Sequence, residues 1–510
     1  MTGDAVAPAP KKLVVGLTGG IGCGKSTVLS LGDVRCPEET VSTMKHLGSL
    51  GCSCSDDDAI VHALYAPGGA AVAPLLERFP AAAAEGGGIS REALSEALRS
   101  SPDPAASLKE LEAIVHPLVF QQRQLFIESA RSWLVVVDSP LLLETMRARG
   151  WRKEDLGLDA IIVVTCAPQA QRRRCLARPG MTEGKLDFLL SQQLAPAERQ
   201  AYADFLVDSS PGELGLQASL SAARAQAAGV VQQLLDRHGG PWPIASARLP
   251  RPSERIECVT FDLDDTLFPT KASLRQALTA FRAEVARRMP RLWQHYKQGA
   301  SFGEAMQDEF RAVAGEHPRL RHDFSQLRQL ALERLVERFG EAEVDPKEIA
   351  EHAMAAFLAG RGAVDQHLFD DVLPTLTELK RRGLCLGSVT NGNADLSAHA
   401  PGLSQLLDFQ ISAAGAGAAK PRGAPFLAAA NAAGLWPCQI LHVGDSLADD
   451  VVGARQMGMK AVHLRRGGTQ LSAQATAAAP SAPSAPHAAV ASLAELPSLL
   501  ARWAEVQSRL

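Results

Sequence analysis

Two apolar patterns alternate along the chain. Unbroken apolar runs at 13–17, 133–137, 159–165 and 205–207 predict strands buried on both faces, as in a parallel sheet. Between them, apolar residues recur three and four apart. Residues 90–99 predict a helix, with Ser90 as its cap and Leu94 and Leu98 on one face. Residues 108–131 predict another, broken near His116-Pro117 because proline disfavours helix in the residue before it. The stretch 59–79 is periodic but interrupted by Pro67-Gly68-Gly69. Residues 81–88 predict a surface loop, and 169–178 a basic helix. Strands alternating with helices predict a doubly wound α/β domain over 11–237, behind a flexible leader at 1–10.

The pattern then restarts. Residues 238–255, rich in glycine, proline and arginine, predict a linker. New strands are expected at 258–263, 384–390, 409–412, 440–443 and 461–464. The helical stretch between the first two, about 271–380, reads as a cap inserted into a second α/β domain over 256–510. The alanine- and proline-rich residues 472–486 predict disorder, and 489–506 a terminal helix.

Composition narrows the function. A length of 510 residues allows two or three domains, and 46% hydrophobic residues supply their cores. A net charge of -4 argues against sequence-independent nucleic-acid binding. No apolar run is long enough to span a membrane, and the first ten residues lack signal-peptide character. Nine scattered cysteines predict reduced thiols in a cytoplasmic protein.

The first candidate chemistry follows the first strand. Gly19-Gly20-Ile21-Gly22-Cys23-Gly24-Lys25-Ser26-Thr27 fits G-x-x-x-x-G-K-[ST], a loop whose backbone N–H groups cradle phosphates. Lys25 would reach the β/γ-phosphates of a nucleotide such as ATP, and Ser26 would offer its hydroxyl to Mg²⁺. Asp56-Asp57-Asp58 reads either as carboxylates that position and deprotonate an acceptor hydroxyl or as a solvated acidic turn. Asp138-Ser139-Pro140 and Glu144 follow a buried strand, where α/β sheets bind ligands. Gln171, Arg174 and Arg178 share a helix face, suited to a solvated surface or to a phosphate clamp.

In this order the segments resemble the dephospho-CoA kinase family, over about residues 12–237. The resemblance rests on L-T-G-G-I-G-C-G-K-S-T, the D-x-D of Asp56 and Asp58, I-V-H-P-L and P-L-L-L-E. It extends through Gln171 to Arg178, then Gln193, Arg199, Asp204 and Asp208. It implies transfer of the ATP γ-phosphoryl to the ribose 3′-hydroxyl of dephospho-CoA, the last step of CoA synthesis. Asp56 would be the base. Lys25 and Arg178 would stabilise the transferring group, Arg174 would help hold ATP, and Asp58, His116 and Glu144 would shape the acceptor side. The sequence departs from the family between Lys25 and Asp56. There, 28–40 reads as an insertion, and Ser53-Cys54-Ser55 replaces the apolar residues expected of a core strand. A non-catalytic nucleotide-binding regulatory module is the alternative for this half.

The second candidate chemistry is Phe261-Asp262-Leu263-Asp264-Asp265-Thr266 after an apolar strand. Two carboxylates two residues apart suit a nucleophile and an acid/base that cooperate across Mg²⁺. Later strands end in Thr390-Asn391-Gly392-Asn393, Lys420-Pro421 and Gly444-Asp445-Ser446 with Asp449-Asp450. This series resembles the haloacid dehalogenase superfamily, and most closely its flavin mononucleotide and pyrimidine nucleotide phosphatases. By that resemblance Asp262 attacks phosphorus and Asp264 protonates the leaving oxygen. Thr390 and Lys420 hold phosphoryl oxygens, while Asp262, Asp445 and the Asp264 carbonyl ligate Mg²⁺. Asp450 supports the site from behind, and the substrate is a small nucleotide-like phosphate.

Overall fold

The structure, a computed structural model, describes residues 12–25, 42–130, 132–210, 214–238, 255–298, 301–339, 345–466 and 485–508. Two compact units divide the chain, with Cys52–Asp208 in the first and Arg251–Leu510 in the second.

The first unit holds a sheet of β1 (Leu13–Gly19), β2 (Ser53–Asp56), β3 (Leu134–Asp138), β4 (Ala160–Thr165) and β5 (Phe205–Asp208). The strand order is β2-β3-β1-β4-β5, and every pairing is parallel. β1 is central and buried throughout, which its unbroken apolar run requires. β2 is an edge strand, with three of its four residues only half-buried. Its polar sequence is therefore tolerated, because an edge strand presents less surface to the core.

Three expectations change. Pro104–Ser129 is one helix with Pro117 inside it, not two. Val115 and Val119, on either side of the proline, bury against Leu64, Leu75 and Leu94. That packing outweighs a local cost of about 3 kcal/mol. The basic helix ends at Leu176, so Arg178 lies on the turn that follows rather than on the helix face. The helix Leu216–His238, assigned by pattern to the first domain, packs within the second unit. Its Ser221 hydroxyl donates to Asp323 at 2.8 Å, and Ala218 joins a cluster with Val313 and Leu327.

The second unit has a parallel sheet of β6 (Cys258–Phe261), β7 (Cys385–Thr390), β8 (Phe409–Ser412), β9 (Ile440–Gly444), β10 (Lys460–Leu464) and β11 (Ala488–Val490). Its order is β11-β10-β9-β6-β7-β8. Residues 489 and 490, within the expected terminal helix, belong instead to β11. Three residues are too few for periodicity to separate the two, and pairing with β10 decides it. The terminal helix begins only at Leu496. The cap has its own core, in which Phe281, Phe302 and Phe357 pack with Leu335. The helix Val372–Arg381, included in the cap by pattern, instead buries Val372, Leu376 and Leu379 against the sheet. The leader 1–10 and the insertion 28–40, with most of the linker and of the 472–486 stretch, lie outside the described residues.

Candidate active sites

Gly19 to Lys25 leave the carboxyl end of β1 as a tight loop, while Ser26 and Thr27 lie outside the described residues. Gly22 and Gly24 have φ of 75° and 81°, a left-handed backbone that a side chain would strain. The Gln171 side-chain amide donates to the Ile21 carbonyl at 2.8 Å, and the Ile21 N–H donates to Gln193 Oε1 at 3.1 Å. Arg199, itself buried, also donates to Gln193 Oε1, at 3.3 Å. Lys25 is 9% exposed and donates its Nζ to the Gly19 carbonyl at 2.6 Å. Burial pushes its ammonium below the usual range, with Asp138 the leading charge opposing the shift.

The parallel register assembles the carboxylates. Asp56 on β2 stands opposite Asp138 on β3, and Asp138 stands opposite Leu17 on β1. Asp138, expected at a ligand-binding strand end, is fully buried. Its only local signal is its position after four apolar residues at a strand end. The acidic run Asp56-Asp57-Asp58 divides into three roles. Asp56 caps the helix Asp57–Tyr65 by accepting from the Asp58 N–H at 2.9 Å. Asp57 is buried in an ion pair with Arg123. Asp58 faces outward, and burial of part of its carboxyl, with Asp56 beside it, raises its pKa against Arg91 and Lys25. His116 is exposed on its helix, and Glu144 accepts the Leu194 N–H at 3.0 Å.

The helix Thr43–Ser49 docks directly on the phosphate loop. The N–H groups of Thr43 and Met44 donate to the carbonyls of Gly24 and Lys25, each at 3.1 Å. In an uninterrupted helix, residues 28 and 29 would make those bonds. Thr43 and Met44 thus make these bonds from positions 15 residues further along the chain (43 less 28).

The Cys23 thiol in the loop lies 3.1 Å from that of Cys166, which donates to it. This bond is the main reason Cys23 is lowered to about 7; burial opposes it, and Arg199, Lys25 and Arg174 reinforce it. The Cys166 thiol is pushed up and stays protonated. Site-resolved mass spectrometry after methyl methanethiolsulfonate treatment should show Cys23 reacting with a midpoint near pH 7. A midpoint near 9, the ordinary thiol value, would contradict the Cys166 hydrogen bond and the three cations that reinforce it.

The second site is built at the carboxyl ends of β6, β7 and β9. Asp262 follows β6, and its N–H donates to the Val443 carbonyl at 2.9 Å. Lys420 Nζ, fully buried, donates to Asp262 Oδ1 at 2.7 Å, to Asp450 Oδ1 at 2.6 Å and to the Val389 carbonyl at 2.7 Å. Asn391 holds this lysine in place, accepting its N–H at 2.7 Å and donating to its carbonyl at 3.2 Å. Thr390 is buried and accepts the Gly392 N–H at 2.9 Å. Behind them lies His442, absent from the sequence reading because it sits mid-strand among apolar residues. Its Nδ1 meets Thr260 Oγ1 at 2.9 Å and its Nε2 meets Asp450 Oδ1 at 3.2 Å.

Oxygens of Asp262, Asp445 and Asp450 all lie within 4.8 Å of one another. Asp450, expected only behind the ligands, stands among them. Burial raises Asp262 to about 7, with Asp450 and Asp264 adding to the shift and Lys420 opposing it. Burial and Asp450 also raise Asp445. Asp450 itself is lowered: burial opposes, but Lys420 and His442 prevail. Crowded oxygen donors, two of them held above the ordinary carboxylate range, fit a hard divalent cation such as Mg²⁺. The Asp264 carboxylate is not in this group. Arg361, from the end of the cap helix Pro346–Gly362, binds both of its oxygens, one at 2.5 Å, and donates to Ser273 at 2.6 Å.

These folds and sites define an N-terminal P-loop kinase-type unit and a C-terminal hydrolase unit of the haloacid dehalogenase-like type. The family described as "Dephospho-CoA kinase" matches residues 13–213, and that described as "haloacid dehalogenase-like hydrolase" matches 256–458. The dephospho-CoA kinase of Rhizobium meliloti is 41% identical over 201 residues, covering 39% of this chain and 89% of that one. That of Agrobacterium fabrum is 36% identical over 225 residues, covering 44% and 98%. A crystal structure of a 2-haloacid dehalogenase from Pseudomonas syringae is 34% identical and covers 49% of this chain and 99% of that one, with a TM-score of 0.41. The chain belongs to the dephospho-CoA kinase family and carries a haloacid dehalogenase-like hydrolase domain in its second half. Among the described residues, no helix is long and apolar enough to cross a membrane.

Proposed function

We propose that the chain is a bifunctional enzyme: an ATP-dependent kinase of the dephospho-CoA ribose 3′-hydroxyl, followed by a Mg²⁺-dependent phosphomonoesterase. The observation that carries the first activity is the convergence of Lys25, Asp138 and Asp56 at three adjacent strand ends beside the phosphate loop. In this reading the loop N–H groups hold the ATP phosphates, and Lys25, Arg174 and Arg178 neutralise charge that grows on the transferring group. Asp56 accepts the hydroxyl proton, while Asp58, His116 and Glu144 border the acceptor. Asp138 and Ser26 would hold Mg²⁺, which supplies charge neutralisation on the phosphates.

In the second unit, Asp262 attacks phosphorus and Asp264 protonates the departing oxygen. Thr390 and Lys420 steady the phosphoryl oxygens, and Asp262, Asp445 and the Asp264 carbonyl would hold Mg²⁺. A small nucleotide-like phosphate of the flavin mononucleotide or pyrimidine nucleotide kind is the proposed substrate class.

The interruption after Lys25 favours a second reading, in which the first unit only binds nucleotide and regulates. One assay with ATP and dephospho-CoA separates the two. The intact protein should phosphorylate dephospho-CoA, and Asp56→Asn should lower kcat by about 10²-fold or more. Deleting residues 28–42 removes 15 residues and keeps the helical register that Thr43 makes with Gly24. That variant should stay active, whereas deleting 28–40 shifts the register by two and should weaken it. Normal ATP binding without turnover in the intact and both deleted forms would favour the regulatory reading.

A further inference from the structure

The cap carries a second, half-buried arginine. Arg328, on the helix Phe324–Phe339, has its guanidinium carbon 4.1 Å from the centre of the Phe357 ring. Phe357 lies one turn before Arg361 on the helix Pro346–Gly362, so Arg328 and Arg361 are neighbours. Arg361 in turn grips the Asp264 carboxylate beside the reacting centre. One turn before Arg328, Ser325 accepts from the Asn393 side chain at 3.0 Å. Asn393 belongs to the loop that follows Thr390. The first turns of the Arg328 helix are thereby tied to the catalytic loops.

The charges in this corner do not balance. Arg361 has Asp264 and Ser273. The Nη1 of Arg328 is buried and has no hydrogen-bond partner among the described residues. The ring face of Phe357, and more distantly that of Phe310, lies against its guanidinium. Burial, with Arg361 beside it, lowers the hold of Arg328 on its proton to about 10. A ring face compensates a buried cation only in part. A carboxylate or phosphate, matched to the planar donor fork, compensates it fully.

We propose that Arg328, with Arg361, forms a subsite for a second anionic group on the leaving-group side of the substrate. The phosphomonoesterase would then select phosphomonoesters whose alcohol portion carries a carboxylate or another phosphate. Such a substrate gives the orphaned guanidinium nitrogen its acceptor. It also draws Arg361 away from Asp264, which frees that carboxyl to meet the leaving oxygen. A neutral alcohol does neither, and so leaves a buried polar group unpaired.

This rests on the phosphomonoesterase reading above, and the test keeps the two apart. The full-length protein with Mg²⁺ is assayed on p-nitrophenyl phosphate and on two matched pairs. One pair is phosphoglycolate against ethyl phosphate; the other is adenosine 3′,5′-bisphosphate against adenosine 5′-monophosphate. The charged member of at least one pair should be preferred tenfold or more in kcat/KM, and the responding pair identifies carboxylate or phosphate. Arg328→Met, which keeps the length and the contact with Phe357, should reduce that preference at least fivefold, chiefly through KM. Arg328→Lys should retain more of it. Equal rates within both pairs, or an Arg328→Met loss shared by p-nitrophenyl phosphate and every other substrate, would overturn the subsite alone. No phosphate release from any compound would overturn the phosphomonoesterase reading and the subsite with it.

Discussion

Asp262→Asn should reduce phosphomonoesterase kcat by about 10⁴-fold or more, because in the proposed mechanism the Asp262 carboxylate forms the bond to phosphorus. The amide oxygen still accepts from Lys420 Nζ, now 2.7 Å away, so the shape of the site is kept. Only nucleophilicity and one negative charge are lost. The variant should also fold at least as well near neutral pH in the absence of metal. The reason is the sign of the Asp262 shift. A carboxyl raised to about 7 in the folded chain binds its proton there more tightly than in the unfolded chain. Its contribution to stability therefore falls as pH rises from about 4 to about 7, and the neutral amide removes that loss. Phosphate release measured beside a urea titration checks both halves. A variant retaining more than about one percent of activity would remove Asp262 from the nucleophile's role. ATP-dependent phosphorylation of dephospho-CoA, which belongs to the other unit, should be unchanged in the same preparation.

Lys25→Met should lower kcat for dephospho-CoA phosphorylation by about 10²–10³-fold, with kcat/KM falling in parallel. The parallel fall follows from where the lysine acts. Its ammonium is buried against the Gly19 carbonyl and close to Asp138, so little water compensates for its removal. It would meet the transferring phosphoryl group mostly as charge develops, which makes its contribution one to the transition state. Methionine preserves the length and apolar stem. It also removes the ammonium that interacts with Asp138, a further reason to expect weaker Mg²⁺-ATP binding as a secondary effect. Steady-state kinetics with varied ATP separates the two contributions. A rise in KM at constant kcat would mean that Lys25 contributes to nucleotide binding and not to the transition state.

The two sites were legible to different depths. Gly19 to Lys25 could be read directly, because a phosphate loop is built from consecutive residues and its chemistry is local. Asp262 and Asp264 were legible for the same reason: the two carboxylates are two residues apart at the end of one strand. The edge position of β2 was not, so Ser53-Cys54-Ser55 looked like a defective core strand when it is an ordinary edge. Pro117 looked like a helix break because proline acts locally, whereas Val115 and Val119 act through residues far along the chain.

The sequence by itself determined that there are two α/β domains, where each phosphate chemistry begins, and the order in which its residues arrive. Those features follow from apolar periodicity and from motifs whose parts are adjacent, and both survive without knowledge of contacts. Tertiary structure alone decided that Asp138 stands between Asp56 and the phosphate-loop strand, that His442 and Asp450 stand behind Lys420, and that Arg361 reaches from the cap to Asp264. Each of these meetings depends on the register of parallel strands or on how a cap helix packs. Parallel strands are joined by long crossovers, so neighbours in the sheet are distant in sequence, and no local pattern encodes which side chains they bring together.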